Sequence, residues 1–433
     1  MKHNSTSSLN ISPTSEAAQA ANPAATDSKF SAVKQWLLRR LLQTAGNPAI
    51  SVVLWDGQEI TPAGTTPVGR IVIRSRSAFL KLLSHPDLQF GDLYSSGQME
   101  VEGDLVEVME ALTRALPPMA KRGRLINALN RLYLLKRNTL AKARDNIYHH
   151  YDIGNAFYRL WLDEQMVYTC AYFPSPTLTL EQAQIAKLEH VCRKLQLKPG
   201  ETVVEAGCGW GALALHMARY CDVTVKAYNI SKEQLAYARE RARQVGLAER
   251  VEFIEGDYRQ IRGTYDVFVS IGMLEHVGLK HYGELGDVIN RCLKPDGRGL
   301  IHTIGRNQPA PMSAWIEKRI FPGAYPPSLG EMMQLFEPWR FSILDVENLR
   351  LHYAETLRHW LARYDATIDQ VQAMFDTPFV RAWRLYLAGS IAAFTMGDLQ
   401  LFQVVFTHHG NNVLPRSREF LYREAGQVES FRW

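Results

Sequence analysis

Glu275 and His276 stand side by side in the stretch SIGMLEHVG, residues 270–278, directly after the apolar run YDVFVS. A carboxylate and an imidazole where a buried strand ends are groups suited to proton transfer. A second histidine, His302, lies inside the apolar run GLIHTIG, and Tyr353 follows in HYAETL. Each has a plain structural reading as well. Glu275 and His276 could cap a helix, His302 could be a satisfied core histidine, and Tyr353 could be a packed aromatic with a solvated hydroxyl.

Gly207-Cys208-Gly209-Trp210-Gly211 points to a different chemistry. Glycines between an apolar strand and a helix let the backbone approach a ligand and free the helix N-terminus to face it. The dinucleotide pattern GxGxxG fails because the third glycine arrives one residue early, and the P-loop fails for want of Gly-Lys-Ser/Thr. A GxGxG turn preceded by an acid, Glu205, suggests S-adenosylmethionine, whose ammonium end favours a nearby carboxylate.

Those residues need a frame. TVVEA, DVTVKAYNI, RVEFIEGDY, YDVFVSIGM and GRGLIHTIG read as five strands, and the segments between them as helices, one capped by Ser231. Such alternation implies an α/β fold with a doubly wound, mostly parallel sheet. Ligands of such sheets bind outside the carboxyl ends of the strands. Asn229 and Gln234 are therefore placed to meet ribose hydroxyls, and Asp257-Tyr258 to flank an adenine.

Length and composition bound the rest. A chain of 433 residues with 46% hydrophobic residues and a net charge of only +5 holds a large core in more than one domain. Residues 1–28, rich in Ser, Ala, Asn and Thr, lack the apolar core of a signal peptide and read as a disordered tail. A helix is expected from Ser28 onward, with Phe30, Val33, Trp36, Leu37 and Leu41 on one face. Residues 29–120 read as a small α+β module. Residues 121–145 follow as a linker in which eight Lys or Arg and no acid stand between Lys121 and Arg144, interleaved with leucines. That is either a solvated helix or a basic amphipathic surface for anionic lipid; no nucleic-acid motif accompanies it. Cys170, Cys192, Cys208, Cys221 and Cys292 form no CxxC pair and no metal-like spacing with histidine, which fits a reducing cytoplasm and no metal site. No apolar run approaches the roughly 18 residues of a membrane span.

From about Tyr148 to Val405 the chain resembles the cyclopropane-fatty-acyl-phospholipid synthases and the related mycolic acid cyclopropane synthases. The resemblance rests on HYDIGNAFYRLWLD, VYTCAYF, KLQLKPGETVVEAGCGWG, SIGMLEHVG, LIHTIG, IFPGAYPPS, HYAETLRHW and LQLFQVVF, in that order. GDLYSSGQMEVEGDL upstream is similar to the N-terminal module of the phospholipid-acting branch. The resemblance implies a Rossmann-like class I methyltransferase domain over 146–433. It implies methylene addition to cis double bonds of phospholipid acyl chains, with S-adenosylmethionine as donor and a bound bicarbonate as base. Carried over by position, Cys170, Glu275, His302, Ile304 and Tyr353 match the bicarbonate site, with Cys170 and Ile304 serving mostly through backbone groups. Tyr168, Thr169, Glu205, Gly207, Cys208, Gly209, Trp210, Gly211, Asn229, Gln234, Asp257 and Tyr258 match the cofactor contacts. His276 is left as a structural neighbour. Leu274 and Phe173 stand where relatives carry Phe and Trp, which bears on the lining of the acyl site. The expected partners are unsaturated phospholipid at the inner face of a membrane, no nucleic acid, and a second copy of the chain if it dimerises. Methyl-branched or methylene products, and N-methylation of a small amine, are the alternatives; a lipid-binding protein with an inactive domain is set against by the intact loop.

Overall fold

The computed structural model describes residues 23–116, 153–412 and 414–421. The expected basic linker at 121–145 lies outside them. Helix α1 (Pro23–Thr44) begins ahead of the expected cap at Ser28, so residues 23–28 are helical rather than part of the tail. Only part of the expected face is buried, with Leu37 and Leu41 packed against the core. Val33 and Trp36 are exposed, while Lys34, Leu38 and Leu42 turn inward at four-residue spacing. Lys34 can face inward because Asp56 pairs with its ammonium and the Trp55 ring lies 5.6 Å from it.

The N-terminal sheet takes the order β2-β1-β3-β4 from β1 (Ser51–Val53), β2 (Glu59–Ile60), β3 (Arg70–Ile73) and β4 (Met99–Glu102). Helices α2 (Arg76–Ser84), α3 (Pro86–Ser95) and α4 (Leu105–Ala115) accompany it. Ser75 and Asp104 accept backbone N–H bonds at the starts of α2 and α4.

The remainder begins with α5 (Asn155–Tyr158) and α6 (Leu180–Leu195), the latter opened by a Thr179–Gln182 capping box. Then come β5 (Thr202–Ala206), α7 (Ala212–Tyr220), β6 (Thr224–Asn229), α8 (Lys232–Gln244), β7 (Val251–Glu255) and β8 (Tyr265–Ile271). The chain continues through α9 (Leu274–Val277), α10 (Tyr282–Cys292), β9 (Leu293–Gly305), α11 (Ala314–Arg319) and α12 (Leu329–Phe336). It closes with β10 (Ser342–Asn348), α13 (Arg350–Ala366), α14 (Ile368–Met374), α15 (Thr377–Met396) and β11 (Gln400–Thr407). Seven strands pair in the order β10-β11-β9-β8-β5-β6-β7, parallel from β7 to β9 and antiparallel at β9-β11-β10. The doubly wound core is as expected. The antiparallel return is an addition, and β11 is buried at every position. Strand order reverses about β5, which places the ligand crevice at its carboxyl end.

The N-terminal module is clasped to the larger sheet's helices. Arg381 on α15 donates to Tyr94 O (2.7 Å), Met99 O (3.3 Å) and Glu100 Oε2 (2.8 Å). Asp87 on α3 accepts from Ala314 N at 2.6 Å and Ser313 Oγ at 3.0 Å, capping α11, and Asp92 binds Arg319 through two bonds. Gly91 lies under Trp315, where a Cβ would come within 2.3 Å of the indole. Arg381→Ala should therefore lower stability by about 1–3 kcal/mol, because two carbonyls and a carboxylate lose a charged donor. Urea unfolding checks this.

Candidate active site

The GxGxG turn departs from β5 and enters α7. Gly207, Gly209 and Gly211 all take positive φ, at 86°, 54° and 86°. Gly207 N and Cys208 N both donate to Tyr228 O, which fastens the turn to β6. A Cβ at Gly209 would meet nothing within 4 Å, so this backbone stands open to the cleft. Gly211 does otherwise. A Cβ there would lie 2.6 Å from Phe253, and the residue sits at the N-cap of α7 outside the cleft wall. Its glycine answers to packing rather than to ligand approach.

The cleft encloses about 1210 Å³ of empty space, mouth included. Tyr168, Thr169, Glu205, Gly207, Cys208, Gly209, Trp210, Asn229, Gln234, Asp257 and Tyr258 all line it. Eleven of the twelve expected cofactor residues thus converge on one cavity, Gly211 being the exception. Glu205 is buried with Oε2 unpartnered, and burial pushes its carboxyl up to about 8. A buried carboxylate oxygen with no protein partner fits an incoming ammonium group. Asn229 is occupied differently from expectation. Its Nδ2 donates to Gly209 O and Gln234 Oε1, and its Oδ1 accepts from Ile230 N, so it shapes the turn. Asp257 caps its own turn and binds Arg259, whose guanidinium lies 4.7 Å from the Tyr258 ring centre.

Lys187 and His276 are among the lining residues that escaped the sequence. Lys187 on α6 is fully buried, and its Nζ donates to Thr169 Oγ1 at 3.2 Å. Burial lowers its ammonium to about 8. Its signal, a lysine among apolar helix positions, is one that a solvated helix also gives. His276, expected to be only a neighbour of Glu275, lines the cleft itself. Burial pushes its imidazole down to about 4, so it stands neutral there. Leu274, by contrast, is fully buried in the core beneath, and the Phe173 ring stacks on His359.

Beyond the cleft, His302 and Ile304 of the second set lie on β9 and Glu275 bonds to it. Glu275 Oε1 accepts from Ile304 N at 2.6 Å, two residues from His302, while Glu275 Oε2 is buried without a partner. Burial raises this carboxyl to about 7. His302 Nδ1 lies 3.1 Å from Gln403 Nε2, and His302 Nε2 is buried without a partner. Burial and the nearby Lys187, Lys194 and His190 hold the imidazole neutral. Cys170 Sγ donates to Ala171 O at 3.0 Å and reaches Leu349 O at 3.9 Å. Leu349 N in turn bonds Leu401 O, and Leu401 faces Ile304 across the sheet. Tyr353, in the first turn of α13, packs on Phe394 and Trp360. Burial drives the Cys170 thiol far above its ordinary range, so it is no thiolate nucleophile.

These features agree with what the chain is similar to. A family model for mycolic acid cyclopropane synthetase matches residues 138–404, and one for a domain of unknown function matches 37–120. A Pseudomonas putida protein named Probable fatty acid methyltransferase is 35% identical over 391 residues, 86% of this chain and 95% of that protein. The cyclopropane-fatty-acyl-phospholipid synthase of Escherichia coli K12 is 40% identical over 270 residues, 62% of this chain and 69% of that one. Mycolic acid cyclopropane synthase CmaA1, solved with SAH and CTAB, superposes with a TM-score of 0.58 at 31% identity, covering 61% of this chain and 97% of its own. The family model spans most of the large domain, and the solved neighbour shares its class I methyltransferase fold: the chain belongs to the mycolic acid cyclopropane synthetase family.

Proposed function

We propose that the protein adds a methylene group across cis double bonds of phospholipid acyl chains. That it is an S-adenosylmethionine-dependent methyltransferase acting on lipids follows from its family. The finer reading rests on one observation: Glu275 Oε2 and His302 Nε2 are both buried and unpartnered beside the same stretch of β9. S-adenosylmethionine supplies an electrophilic methyl when bound, and bicarbonate supplies a base.

Glu205 fits the ammonium end of the cofactor, the Gly207–Gly209 backbone its approach, and Tyr258 a flat adenine face. The alkene needs no activating side chain, since its π electrons form the new C–C bond as the S–C bond breaks. The carbocation left on the chain carbon beside the new methyl must then lose a proton from that methyl so that the ring can close. Glu275 and His302 serve that step by holding an anion. Oε2 can accept an O–H, and Nε2–H can donate to a charged oxygen. Burial of the site keeps water from trapping the cation as an alcohol. Tyr158, Trp161 and Trp360 each stand 5.3 Å from the Tyr168 ring, an aromatic group suited to a passing cation.

Purified protein with S-adenosylmethionine, bicarbonate and vesicles of unsaturated phospholipid should give acyl chains heavier by one CH₂. Their alkene protons should vanish and high-field ring methylene protons should appear by NMR. A methylene-branched product has the same mass and keeps alkene protons, so the spectrum separates the two. That second reading is favoured by the nearly full-length likeness to the P. putida fatty acid methyltransferase.

Action at a membrane surface is supported by the cations of residues 121–144. No helix among the described residues is long and apolar enough to cross a bilayer. Neutralising Lys121, Arg122 and Arg124 should weaken binding to anionic vesicles by roughly a hundredfold, at about 1 kcal/mol per cation. The effect should fade as salt rises, as read by vesicle sedimentation.

A further inference from the structure

Glu347 on β10, Gln403 on β11 and His302 on β9 stand directly opposite one another across three paired strands. Residues so paired point to one face of a sheet. The row is sealed, for Gln403 and His302 are essentially inaccessible. Its far end is anchored by α6: Glu347 Oε2 lies 2.7 Å from His190 Nε2 and 2.6 Å from Lys194 Nζ. At the near end the Gln403 amide nitrogen lies 3.1 Å from His302 Nδ1. With the amide nitrogen on that side Nδ1 accepts and the ring proton belongs on Nε2, while Gln403 Oε1 stays buried without a partner.

We propose that Gln403 is a positioning residue that fixes His302 as the Nε2–H tautomer, so that the ring presents a donor to the anion which the cyclopropanation reading places beside Glu275. The inference rests on that reading for its purpose and on the Glu347–Gln403–His302 row for its substance. The arrangement is the reverse of a hydrolase triad. There a carboxylate takes the Nδ1 proton and leaves Nε2 as a base. A carboxylate at 403 would do the same here, turning a lone pair toward an anion that needs a donor. A glutamine instead aims the proton at the site and adds no charge to a row that already carries Glu347. Sequence inspection passes over it, because Gln403 lies in LQLFQVVF among apolar strand residues.

The test uses the full chain in two forms, Q403M, which keeps the volume and loses the donor, and Q403E, which turns the donor into an acceptor. Protein labelled with ¹⁵N-histidine, with His302→Gln to assign the signal, reports which ring nitrogen carries the proton. The wild type should be protonated at Nε2, and Q403E should move the proton to Nδ1 or charge the ring. In bicarbonate-depleted buffer, Q403M should need about tenfold more bicarbonate for half-maximal turnover, the equivalent of one hydrogen bond. Its affinity for S-adenosylmethionine by calorimetry should be unchanged. A wild-type ring protonated at Nδ1 overturns the inference, as does a Q403M protein with the wild-type bicarbonate response. A wild-type enzyme indifferent to bicarbonate would sink the base reading instead, and the ring-nitrogen assignment would still decide the role of Gln403. Should Q403E fail to fold, the wild-type assignment and Q403M decide the matter alone.

Discussion

Glu275→Gln should lower turnover by roughly 10²–10⁴-fold, the range set by loss of a positioned proton acceptor. The fold should survive, because the glutamine carbonyl can still accept the bond that Ile304 N now gives to Oε1. What changes is the other oxygen. Oε2, buried and without a protein partner, becomes an NH₂ donor where an acceptor is required. Affinity for S-adenosylmethionine, read by calorimetry, should stay within about twofold, since one hydrogen bond to the cofactor would shift it by tenfold; a large loss of cofactor binding would move Glu275 into the wrong site. The pH profile adds an independent check. Glu275 accepts only when ionised, and burial puts its titration at about 7. At fixed bicarbonate, turnover by the wild type should climb as pH rises through that value, and the climb should be missing in Glu275→Gln.

Glu205→Gln should move binding and stability in opposite directions. Loss of a charged partner for the ammonium group should weaken S-adenosylmethionine by about 10–100-fold, the equivalent of 1.5–3 kcal/mol. In the ligand-free protein the same carboxylate is a liability. Its folded titration point is raised to about 8, from an ordinary 4.5, by burial. A group shifted upward in this way costs nothing below the unfolded value, and its penalty grows as pH rises through the folded one. Ligand-free Glu205→Gln should therefore melt like the wild type at pH 4 and above it at pH 8.5. Thermal melts at the two pH values, with and without S-adenosylmethionine, check both halves. A variant that binds the cofactor normally would show that Glu205 faces the cleft without meeting the ligand. The same sign holds for Glu275, with its window ending near 7.

The candidate site was legible where its logic is local. The glycine turn, its preceding acid and the polar residues at the ends of β6 and β7 follow one another in the chain, and a parallel sheet brings successive strand ends to one edge. Glu275 and His302 were visible as polar residues misplaced in apolar runs. Gly211 was misjudged because the motif does not say which glycine meets a ligand and which meets Phe253. His276 was read only as a structural neighbour, but the short helix turns Glu275 to Ile304 and leaves His276 lining the cleft. The face of α1 was partly misread because Trp36 looks like core and Lys34 does not, and only the Asp56 and Trp55 contacts reverse that order.

By itself, then, the order of residues determined the doubly wound sheet, the position of the cofactor turn and the polar residues that end the sheet's successive strands. These depend on period, on turn chemistry and on neighbours in the chain, all of which are present in the string of letters. Tertiary structure alone decided the antiparallel return of β10 and β11, the clasp of Arg381 on the N-terminal module, and the burial that raises Glu205 and Glu275. It alone set Glu347, Gln403 and His302 in one row, although Gln403 stands about a hundred residues from its partner histidine. Such pairings are fixed by strand register and by the removal of water, and neither is written in any local stretch of sequence.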